Sequence, residues 1–105
     1  MGSSENLELQ FHQRMIQIYE QAKSECGYTA SRFHNMVTNH GGLQAAKTLL
    51  NSNAYSEGLT RLWEEQRLDI SMEATVLKEP WKNLFTEEEL SAARKKLVAL
   101  GYKFN

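Results

Sequence analysis

Apolar residues recur at steps of three and four along most of this chain, and polar residues fill the positions between them. Leu7, Phe11, Met15, Ile18, Ala22 and Cys26 form one such stripe, which predicts a long amphipathic helix stopped at Gly27. Thr29 is then placed to cap a second helix whose buried side carries Ala30, Phe33, Met36 and Val37. Gly41-Gly42 breaks that helix, and a third follows with Leu43, Ala46, Leu49 and Leu50. After the loop-forming Asn51–Asn53, Ser56 caps a fourth helix bearing Leu59, Leu62 and Trp63, expected to end around Arg67. Asp69 or Ser71 starts a short fifth helix, limited by Pro80 because the residue before a proline is pushed out of helical geometry. The last helix is the most clearly signalled. Thr86 with Glu89 forms a capping box, acids occupy the first turn, Arg94-Lys95-Lys96 lie toward the far end and Gly101 closes it. The tail from Tyr102 to Asn105 can dock through Tyr102 and Phe104.

No stretch alternates with period two over a strand's length, and there is no Asn-Gly hairpin signal. The fold class expected is therefore all-α, a compact single-domain bundle of about six short-to-medium helices. Length agrees, since 105 residues suit one core and not two. Met1–Ser4 reads as a vector-derived start, extending at most to Gln10, and residues 5–105 as the helical domain.

Composition removes several function classes. The apolar fraction of 41% and charged fraction of 24% are those of an ordinary globule, and the net charge of −1 gives no global attraction to phosphate. Cys26 is the single cysteine, so neither an intrachain disulfide nor a cysteine zinc cluster is expected. No apolar run approaches the ~18 residues of a membrane span, and a cytoplasmic location is the simplest expectation. His34 and His40 are six apart, His12 lies on another helix, and none has the i, i+4 spacing of a zinc motif. No metal and no cofactor are expected, and serine-nucleophile, phosphate-loop and dinucleotide signatures are missing.

Two regional signals remain. Glu64, Glu65, Asp69 and Glu73 cluster with Arg61 and Arg67, and their alternating signs suit a solvated surface better than a catalytic pair. An enzyme would have to be built on Asp69 and Glu73. The other signal is the stretch between Glu25 and Glu57, which lacks any acid. It holds Arg32, His34, Asn35, Asn39, His40, Gly41, Gly42, Gln44 and Lys47, an amide-rich, mildly basic set of the kind that meets phosphates and base edges. A helix opening after two glycines also offers free backbone N–H groups to an anion. Read as a helix-turn-helix, the recognition helix would be Leu43–Leu50. Against this, two positive charges are few for DNA, and the Leu- and Ala-rich helix suits close packing. Trp63, Trp81 and Phe85 are candidate protein-interface anchors.

Four stretches, Gly27–Phe33, Gly41–Leu50, Ser56–Leu77 and Trp81–Leu97, together resemble a family of short, uncharacterised bacterial all-helical proteins and domains. That resemblance implies a bacterial or phage origin and transfers no functional residue. The expected function is a small non-catalytic binding or regulatory module. Its partner would be a protein or a second copy of the chain, the alternative being a nucleic acid bound by the 32–47 region.

Overall fold

The computed structural model describes residues 3–104, with side chains from Asn6 onward. Of the presumed vector-derived start, Met1 and Gly2 lie outside the described residues. Among the described residues six α-helices run in order: α1 Ser3–Cys26, α2 Ser31–His40, α3 Gly42–Leu50, α4 Glu57–Glu64, α5 Met72–Val76 and α6 Glu87–Ala99. Single 3₁₀ turns at Leu68–Ile70 and Trp81–Leu84 precede α5 and α6 respectively. There is no strand among the described residues, so the chain is all-α.

The 24 residues of α1 rise about 36 Å at 1.5 Å each, close to the 41 Å long axis of the molecule. Of its stripe, Phe11, Met15, Ile18 and Ala22 are buried as the spacing predicted, while Leu7 and Cys26 at its two ends are half-buried. Around it the main core gathers Val37 of α2, Ala45, Ala46 and Leu50 of α3, Met72 and Val76 of α5, Phe85, and Ala93 of α6. A second cluster joins Leu59, Leu68, Ala74 and Leu97 beneath α4 and α6. Helix α5 runs through the middle, and every residue from Ser71 to Val76 is buried.

Local capping chemistry explains most element boundaries. The Ser56 hydroxyl accepts from the Leu59 N–H at 3.0 Å, and the Ser71 hydroxyl from the Ala74 N–H at 3.1 Å. The capping box of α6 is complete: Thr86 Oγ1 accepts from the Glu89 N–H at 3.1 Å, and Glu89 Oε1 accepts from the Thr86 N–H at 3.0 Å. At the other end the Gly101 and Tyr102 N–H groups close onto the carbonyls of Val98 and Leu97, both at 2.9 Å.

Two boundary expectations need correction. Thr29 does not cap α2; Ala30 holds that position without a side-chain bond, and the Thr29 carbonyl instead accepts from the Ser31 N–H. Helix α4 stops at Glu64 rather than Arg67, because Gln66 turns the chain at φ +60°. Of the two starts expected for α5, Ser71 is the one used, and Asp69 sits inside the preceding 3₁₀ turn.

The two glycines of the α2–α3 corner do different work. Gly41, at φ +89°, takes the left-handed conformation that reverses the chain. Gly42 is there for closeness: a β-carbon on it would lie 2.7 Å from His12 Cα and 3.1 Å from Met15 Cγ. Its N–H donates to His12 Nδ1 at 2.9 Å, tying the start of α3 to α1. Gly42→Ala is expected to cost about 1–3 kcal/mol by forcing α3 off α1, which a urea melt reads directly. An unchanged midpoint would show that the two helices have room to spare.

Candidate functional site

The corner between α2 and α3 places most of the acid-free segment on the surface, but not as a phosphate or base-edge reader requires. Arg32, Asn35, Asn39, His40 and Gln44 are exposed, whereas Gly42 is buried and His34 stacks on Tyr19 with ring centroids 4.3 Å apart. The first N–H of α3 is not free for an anion, because His12 already accepts it. Lys47 is not free either. Its ammonium donates to Glu89 Oε1 at 2.7 Å and lies 5.1 Å from the centre of the Phe85 ring. Asn51 Nδ2 completes the cluster by donating to Glu89 Oε2 at 3.0 Å. The segment lacks acids in sequence, yet α6 delivers one to it in space. Leu43–Leu50 is wedged against α1, α2 and α6, with Ala45, Ala46 and Leu50 buried, which leaves little of it to enter a groove.

The carboxylates flagged in the sequence also separate. Asp69 is exposed and accepts from the Arg67 guanidinium at 3.1 Å, while Arg67 donates to Glu25 as well, at 2.7 Å. Glu73 is 2% exposed and lies elsewhere, lining a cleft that Asp69 does not reach. The pair does not converge. Burial pushes the Cys26 thiol up, outweighing the lowering effect of Arg67.

Two of the three aromatic anchors are structural. Phe85 is buried, and both it and Trp81 set ring edges against Phe11, at 5.4 and 5.6 Å. Only Trp63 is open, at 46% exposure, on a shallow groove with Leu68, Asp69, Leu100 and Tyr102.

The most site-like feature draws on elements far apart in the chain. A cleft of about 300 Å³ opens between α1, α2, the 51–56 loop and α4. Ile18 and Ala22 of α1, Phe33 and Met36 of α2, Leu49 of α3, and Leu59 and Leu62 of α4 supply apolar walls. Tyr19, Tyr28 and Tyr55 add aromatic ones. Exposed Arg32, Tyr55 and Glu57 stand at the mouth, and buried Ser71, Met72 and Glu73, the start of α5, close the inner end. Ser71 is spoken for, because its hydroxyl donates to the Leu68 carbonyl while capping α5.

Glu73 is the exception to that apolar lining. Burial raises its pKa above the ordinary carboxylate value, only partly opposed by a hydrogen bond from its own backbone N–H and by Lys96. Lys96 forms no ion pair with it among the described residues. Its ammonium turns to the Leu49 carbonyl at the end of α3, at 3.0 Å, and burial lowers its own pKa. In the sequence Arg32 and Glu73 stand out for separate reasons, one in the acid-free segment and one among the clustered carboxylates. That both line one cleft follows from tertiary packing alone.

Comparison with protein-family models, with curated proteins and with solved structures returned no match. The site therefore has to be read from its own chemistry. No helix among the described residues is long and apolar enough to cross a membrane.

Proposed function

We propose that the protein is a non-catalytic binding module whose partner is another protein, held by one side chain anchored in the cleft between α1, α2 and α4. The observation that carries this reading is the cleft itself: an apolar-walled space of about 300 Å³ with an exposed tyrosine at its lip. Recesses of this size lie at the small end of ligand sites, and a buried side chain in such a recess typically dominates the energy of an interface. Opposite charges at the mouth, Arg32 and Glu57, suit a polar rim around that anchor. The nucleic-acid alternative is weaker, because pairing of Lys47 with Glu89 leaves Arg32 as the one unpaired formal charge of the proposed 32–47 surface among the described residues.

Gly58 provides the test. It lines the cleft, and a β-carbon there would meet nothing within 4 Å. Gly58→Trp should therefore obstruct the mouth while leaving the fold intact, removing a glycine from a helix at the same time. Peptides selected from a random display library against the natural chain are expected to lose at least about tenfold in affinity for Gly58→Trp. Fluorescence anisotropy at two salt concentrations should show less than about tenfold weakening between 50 and 200 mM, against the 10³-fold or more typical of a protein on DNA. Binding indifferent to Gly58→Trp, or steeply salt-dependent binding of duplex DNA, would defeat the reading.

A further inference from the structure

The buried carboxyl at the inner end of the cleft narrows the choice of anchor, given the reading of the cleft as a partner site. We propose that the anchor is a lysine side chain of the partner protein, its ammonium meeting Glu73 and its methylene stem lying along the apolar walls.

Three observations converge on this. Glu73 is nine-tenths buried and more, lines the cleft, and has no basic side chain in ion-pair contact among the described residues. Among the described residues, the bond to its carboxyl comes from its own backbone N–H and from no other side chain. A purely apolar anchor would seal that carboxyl from its remaining water and give nothing back, which is costly for a buried acid. An ammonium supplies the opposite charge together with charge-assisted donors.

The walls argue in the same direction. Ile18, Ala22, Leu59 and Leu62 offer a sleeve for an aliphatic stem. Tyr19 and Tyr28 line it too, but Tyr19 already stacks on His34 and Tyr28 already has the Arg61 guanidinium 5.3 Å from its ring centre, so the aliphatic sleeve carries this part of the argument. A guanidinium can pair with the carboxyl bidentately, but that leaves three of its five donors against the apolar walls. Arg32 shares the mouth with Glu57, and the Lys96 ammonium donates to the Leu49 carbonyl and not to Glu73.

The test uses the intact chain and three small probes, Nα-acetyl-lysine amide, Nα-acetyl-norleucine amide and n-butylamine, followed by amide chemical shifts in NMR titrations. The lysine derivative is expected to perturb amides at the start of α5 and along the cleft, and to bind at least tenfold tighter than the norleucine derivative. Glu73→Gln should abolish that preference while melting no lower than the natural chain, since it relieves a buried charge. The lysine–norleucine comparison on the natural chain decides the matter even if the variant folds poorly. Equal binding of the norleucine derivative would overturn the lysine assignment and leave the apolar-anchor reading standing. Tighter binding of n-butylamine than of the lysine derivative would assign the cleft to a free amine and overturn the protein source. Shifts outside the cleft, or none with any probe, would remove both the lysine assignment and the binding site it rests on.

Discussion

Phe11→Ala is expected to lower the melting temperature by at least about 12 °C, the largest effect of any single truncation considered for this chain. Phe11 is fully buried at the centre of the main cluster. Trp81 and Phe85 both present ring edges to it, at interplanar angles of 60° and 69°. Removing the ring deletes two edge-to-face contacts and leaves a cavity bounded by helices that cannot all move in. Truncations of this kind cost about 3–5 kcal/mol, and each kcal/mol is worth about 4–8 °C in a domain of this size. A thermal melt followed by circular dichroism checks it. A fall of less than about 5 °C would mean that the contacts around residue 11 are far looser than this packing requires.

Glu89→Ala should cost about 2–3 kcal/mol, and its effect should depend on pH in a defined direction. The carboxylate serves three partners at once: the Thr86 N–H of the capping box, the Lys47 ammonium and the Asn51 amide. Burial by itself would raise its pKa, but those three together hold it below the ordinary 4.5. A depressed carboxylate stabilises the fold above its unfolded pKa, and that stabilisation is lost as pH falls through the folded value. The gap between the natural chain and Glu89→Ala should thus be full near pH 7 and should close as the solution is acidified below the ordinary carboxylate range. Denaturant melts at a series of pH values would reveal it. A gap that stays constant down to strong acid would show that lost packing, not the charge, accounts for the difference. Glu73, with its raised pKa, works the other way: its contribution worsens as pH climbs above the unfolded value.

What the sequence made legible was local. The α1 stripe, the caps at Ser56 and Ser71, the complete box at Thr86 and Glu89, and the terminator at Gly101 all depend on residues within a few positions of each other, where periodicity and capping rules apply. The site was a different matter. Lys47 reads as a free cation until α6 brings Glu89 to it from 42 residues away. Gly42 reads as an open anion cradle until α1 brings His12 to its N–H from 30 residues away. Trp81 and Phe85 carry no mark in sequence that separates an interface anchor from a partner of Phe11. The cleft, drawing on five helices and the loops between them, has no linear signature at all.

Helix α5 has consequences for how the protein opens as well as how it is built. Five residues make little more than one turn, too few to persist as a helix in water. Its existence is owed entirely to the surroundings pressed against it on every side. No partial unfolding can therefore expose this segment while keeping it ordered. Its amides should exchange with solvent only when the whole molecule opens, whereas α2 and the ends of α1 can fray alone. Because its first turn also closes the inner end of the cleft, the deepest part of the proposed binding site belongs to the slowest-opening part of the chain, and the adaptable part is confined to the mouth.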